Sequence, residues 1–136
     1  MSSVIFKEVE SLAEQLMDAA EANNETKFYE LYDQLEQLCE KYRGSKKDHP
    51  VLWETLADFT EENEKSIETY EYAYGLAQAL KDNEYKASIM FSMAQRLVEE
   101  GEKDRVKEAI DKAAKFASFT EDQELIDEIK LLADQL

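Results

Sequence analysis

Punctuation is what this sequence has least of. One proline, three glycines and one cysteine are spread over 136 residues. So little glycine and proline excludes low-complexity tails and loop-rich mini-scaffolds, which are built on both. The lone Cys39 cannot close an internal disulfide, so a reducing, cytoplasmic setting is expected. One His and one Cys make no Cys or His cluster for zinc, and no Glu-x-x-His pair of the di-iron kind occurs. Calcium loops of the D-x-D-x-D-G type and glycine-rich phosphate loops are missing as well. The sequence therefore implies no cofactor, no metal and no evident small-molecule substrate. Long apolar runs are also lacking. The opening "MSSVIFKEVESLAEQL" meets Glu8 and Glu10 almost at once, so neither a signal peptide nor a membrane span is expected. The sequon Asn24-Glu25-Thr26 would matter only in a secretory pathway and reads as chance.

Positive charge is the other shortage. There are 32 acids against 16 Lys and Arg, a net charge of -16. Residues 1–40 and 48–80 are strongly acidic, and so is the stretch after 115. Residues 81–115 balance, and "KYRGSKK" at 41–47 is the one basic stretch. Such a field opposes phosphate contacts, so nucleic acid is not expected as a partner, nor is adsorption on an anionic membrane. A basic protein is the partner this charge favours, although acidity also serves solubility.

What is present is helical periodicity. A chain of this length makes one domain with a core of its own. Met90, Met93, Ala94 and Leu97 recur at steps of three and four, and Val106, Ile110 and Ala113 resume that spacing beyond Gly101. Each half then has one apolar stripe, and a glycine between them lets the chain reverse so that the stripes meet. "GSKKDHP" at 44–50 is a second break, with Asp48 suited to a cap and Pro50 to a first helical turn. "KDNE" at 81–84 is a third, where Asp82 or Asn83 would cap. Thr120-Glu121-Asp122-Gln123 has the form of a capping box. It should open a last helix whose apolar face is Leu125, Ile129, Leu132 and Leu136. The expected architecture is a single all-α domain of about seven helices. Hairpins cover about 3–43, 50–81 and 84–118, and a capping helix covers 121–136.

The apolar pattern around Gly101 resembles the tetratricopeptide repeat over residues 87–120, with Met90, Met93, Ala94, Leu97, Val106, Ile110 and Ala113 on its signature positions. A looser copy has Trp53, Leu56 and Ala57, then Ser66, Tyr70 and Ala73. Its halves lie about three residues closer than the consensus. A third has Leu12, Leu16 and Ala19, then Phe28, Tyr32 and Leu35. The resemblance implies antiparallel hairpins stacked as a short right-handed solenoid. It also implies a ligand groove lined by the first helix of each pair. In this chain that places Phe91, Gln95, Val98 and Glu99 in the groove, joined by Met17, Glu21, Thr55 and Asp58. Family members that clamp a terminal carboxylate use Lys, Arg and Asn there, and Phe91 and Gln95 argue against that role.

Chemistry-bearing residues are few. His49 reads as a capping or exposed histidine and Cys39 as a small core residue among Leu31, Leu35 and Leu38. The carboxylate pairs Glu64 with Glu68 and Glu124 with Glu128 read as solvated faces. In "YEYAY" at 70–74, Tyr70 holds a core position and Tyr72 is the exposed candidate for an interface. Trp53 is a core residue first. No catalytic residues emerge, and an enzyme is not expected. The functional expectation is a non-catalytic acidic module that masks a basic partner, as an immunity protein, antitoxin or secretion chaperone does. The alternative is a generic repeat adaptor whose acidity only keeps it soluble.

Overall fold

The structure is a computed structural model that describes residues 3–136. Among them are seven α-helices and no strand: α1 Ser3–Glu21, α2 Glu25–Tyr42, α3 Pro50–Phe59, α4 Asn63–Leu80, α5 Asn83–Glu99, α6 Lys103–Ala117 and α7 Gln123–Asp134. The turns between them follow from a few residues. Gly101 takes φ +73 just beyond α5, a left-handed conformation in which a Cβ would be strained. Asn23 and Lys81 adopt the same region at φ 54 and 56 to end α1 and α4. Asn24 and Asp82 then cap the next helices, accepting from the backbone N–H of Lys27 at 3.1 Å and of Tyr85 at 3.0 Å.

Two caps differ from the sequence reading. His49, not Asp48, caps α3, its Nδ1 accepting from Val51 N at 3.1 Å, while Pro50 fills the first position. Asp48 is drawn away by side chains that only the fold brings to it. Before α7 the cap is Asp122, which accepts from Leu125 N at 3.1 Å. Thr120 instead donates its hydroxyl to the Ala117 carbonyl at 2.8 Å, tying off α6 rather than opening α7.

Each of α1, α3 and α5 packs against the helix that follows it, and α4 packs on α5 to join the second and third hairpins. The first helices also touch one another, α1 on α3 and α3 on α5, so all three share one side of the stack. The core runs through these contacts. Ala57, Ala73, Ala77, Ala87, Ala94 and Ala113 are completely buried, the small side chains letting helix backbones approach. Met90, Met93, Leu97, Val106 and Ile110 fill the space between α5 and α6. Trp53, Tyr70 and Cys39 are buried too, and dehydration pushes the Cys39 thiol up to about 12.

At the far end, α7 lies on α6 and buries Ile129, with Leu125, Ile126 and Leu132 half-buried. Leu136 does not complete this face. The helix stops at Asp134, which leaves Leu136 63% exposed. The result is an open cleft of about 780 Å³ whose apolar lining includes Val98, Val106, Ile110, Ala133 and Leu136.

Candidate functional site

The side shared by α1, α3 and α5 carries a polar seam where α3 meets α5. Glu54 and Asp58 stand one turn apart on α3 and share one face of it. Ser88 of α5 donates to Glu54 Oε2 at 2.7 Å. Buried Tyr70 of α4 donates to Asp58 Oδ1. Arg96, two turns along α5 from Ser88, reaches the end of α3. Its Nη2 donates to the Ala57 and Asp58 carbonyls at 3.4 and 3.3 Å, and its Nη1 donates to Asn63 Oδ1 at 3.0 Å. The Arg96 guanidinium thus adds donors to carbonyls at the C-terminal end of α3. It is not a free cation waiting for a ligand.

Dehydration governs the seam's electrostatics. Burial raises Glu54 to about 7, the Ser88 hydrogen bond opposes the rise, and the charge of Asp58 adds to it. Burial likewise pushes Asp58 upward, against the pull of Tyr70 and Arg96. Asp58 keeps exposed surface overall, but its Oδ1 points inward at a tyrosine that is only 2% exposed. Tyr85 of α5 is raised by burial first and by Glu54 second, and its ring meets His49 edge-on at 5.1 Å. Burial lowers His49, so this imidazole favours its neutral, capping form.

A second cluster surrounds the turn before α3. Asp48 accepts from Trp53 Nε1 and the Tyr72 hydroxyl, each at 2.7 Å, and from Gly44 N and His49 N at 2.9 Å. The Arg43 guanidinium lies over both the Trp53 ring, at 4.4 Å, and the Tyr72 ring, at 4.8 Å, while making a bidentate pair with Glu40. These contacts anchor the basic turn and leave Lys46 and Lys47 exposed at its tip.

The residues singled out from sequence fall into three groups. Met17, Glu21, Asp58, Gln95, Val98 and Glu99 are exposed. Thr55 is half-buried, its hydroxyl donating to the Val51 carbonyl of its own helix at 2.6 Å. Two need correction. Phe91 is only 8% exposed and belongs to the core, because this face of α5 is turned inward in the packed stack. Tyr72 is half-buried and occupied by Asp48, Trp53 and Arg43, so it braces a turn rather than standing free. Sequence reasoning missed Glu54, Ser88 and Arg96, and took Asp48 only as a helix cap. Only the i, i+4 spacing of Glu54 and Asp58 was a visible signal.

Among the described residues, no group of three or more His, Cys, Asp or Glu could hold a metal ion. Among these residues no helix is long and apolar enough to cross a membrane. These features define a class, an all-helical stack of hairpins with an acidic seam on one side. No family model matches the chain, and neither a curated protein nor a solved structure matches it.

Proposed function

We propose that the chain is a non-catalytic binding module of the tetratricopeptide type, whose α1–α3–α5 side covers a basic segment of a partner protein. The observation that supports this is the division of charge between the two sides of the stack. The first helices, α1, α3 and α5, hold nine acids and three bases, whereas α2, α4 and α6 hold eleven acids and eight bases. Two of those three bases are already engaged. Lys86 lies over the Phe116 ring at 5.0 Å and Arg96 donates to carbonyls of α3. A cationic segment laid along this side meets Glu21, Asp58 and Glu99 with little competing positive charge. Met17 and Val98, 54% and 42% exposed, offer apolar contact beside them. Masking of a basic partner, as by an immunity protein, an antitoxin or a secretion chaperone, is the role that fits such a surface.

The test is kinetic. A basic partner recovered by co-purification should associate fast at low salt and more slowly as salt rises, because the Debye length shrinks from about 30 Å at 0.01 M to about 8 Å at 0.15 M. Reversing Glu21 and Asp58 together to Lys should weaken binding far more than reversing Glu124 and Glu128 on α7. The two double variants change net charge equally, so equal losses would reduce the interaction to nonspecific attraction and remove the proposed surface.

A further inference from the structure

The α3–α5 contact includes a half-buried carboxylate, Glu54, that accepts from Ser88 across it. Among the described residues, neither Glu54 nor Asp58 forms an ion pair within 4.0 Å. The groups that face Glu54 can be named element by element. Asp58 stands one turn away on α3, and α5 contributes Ser88 and Tyr85. His49 meets the Tyr85 ring edge-on, and Asp82 and Glu84 also act on Tyr85. From α4, Tyr70 engages Asp58 instead, and Arg96 of α5 acts on Asp58 while tethered to the α3 carbonyls. From α1 the buried side chains Ile5, Val9 and Leu16 are apolar. The seam therefore holds two like charges close together, the half-buried Glu54 and the more exposed Asp58, whenever both acids are ionised.

We propose that Glu54 makes the α3–α5 joint proton-dependent, closed most firmly when Glu54 is protonated and loosened as it ionises. The hydrogen bond to Ser88 survives either way. Ionised Glu54 accepts from the Ser88 hydroxyl, and protonated Glu54 can donate to the Ser88 oxygen. What changes is the charge, since protonation removes both the repulsion from Asp58 and the cost of keeping a bare carboxylate out of water. The position of Glu54 near 7 sets the response within the neutral range rather than in acid. Because α1, α3 and α5 share one side, loosening this joint would alter the spacing of first helices along that side. The inference does not depend on what binds there.

The experiment uses the protein alone. With carboxyl-labelled glutamate, the Glu54 resonance should titrate with a midpoint near 7. Amide protection in α3 and α5, corrected for intrinsic exchange, should fall about tenfold between pH 6 and pH 8 if opening returns Glu54 to water. Protection in α6 should change less. Glu54→Gln should abolish the pH dependence in α3 and α5, and Asp58→Asn should lower the Glu54 midpoint. A Glu54 midpoint in the ordinary carboxylate range overturns the proposal, as does an undiminished pH dependence in Glu54→Gln. If that variant does not fold, the wild-type titration still decides.

Discussion

The two hairpins α3–α4 and α5–α6 sit side by side and are held together in different ways. Between α5 and α6 the contact is apolar, with Ala87, Ala94, Ala109, Ala113 and Ala117 nearly or fully buried among Met90, Met93, Leu97 and Ile110. Between α3 and α4 it leans on hydrogen bonds. Ser66 Oγ donates to the Ala57 carbonyl at 2.9 Å, Tyr70 to Asp58, and Tyr72 to Asp48 just ahead of α3. Length explains the difference. Helix α3 has 10 residues where α5 has 17, so it presents fewer turns of apolar surface, and directional bonds fix what its short stripe leaves loose. A short helix in a stack of long ones thus becomes the place where polar groups are dehydrated. The titratable Glu54 lies on this same short helix, against Ser88 of α5.

Breaking the polar side of this comparison should have the largest effect. Asp48→Ala removes the acceptor shared by Trp53, Tyr72 and two backbone N–H groups, and should destabilise the protein by about 3 kcal/mol in urea unfolding. A loss below about 1 kcal/mol would mean that the turn is held by its aromatic contacts alone. On the apolar side, Ala94→Leu or Ala113→Leu should overpack the α5–α6 interface and cost about 2 kcal/mol each. Variants that melt like the parent would place those alanines out of the packed register.

Glu54→Gln should act in the opposite direction. The folded state holds the Glu54 proton up to about 7 against an ordinary value of 4.5, so ionisation costs the fold progressively between those values and fully above them. The parent should therefore lose stability as pH rises through this window. Glu54→Gln should be more stable than the parent by about 2 kcal/mol at pH 8, with no difference near pH 4. Denaturant midpoints at the two pH values measure this. The smallest effect belongs to the surface pairs. Arg105 bridges Glu71 at 3.1 Å and Glu102 at 2.8 Å with all three side chains about half exposed, and Arg105→Ala should change stability by less than about 0.5 kcal/mol.

Much of the apolar frame was legible in sequence because its signal is local. Gly101 stood alone between two stripes of helical spacing, and the structure places it at the turn with φ +73. Met90, Met93, Ala94, Leu97, Val106, Ile110 and Ala113 are all buried, as their periodicity required. The polar assignments were less legible. Asp48 had the right form for a cap, yet Trp53 and Tyr72 supply donors that outcompete the start of α3 for its carboxylate. Phe91 lies off the Met90–Leu97 stripe of its helix, and only contact with the neighbouring helices closes over it. Leu136 fits the α7 pattern by spacing, but the helix ends two residues too early to turn it inward.

By itself, the sequence determined the helical class, the turn at Gly101 and the buried stripe on each side of it. These depend on backbone stereochemistry and on residues within a few positions of one another. The tertiary structure decided which polar groups lose their water. Glu54 meets Ser88 across 34 residues of chain, and Asp48 meets Tyr72 across 24. Dehydration and charge repulsion depend on whatever atoms lie nearby, and helical periodicity carries no record of partners that distant.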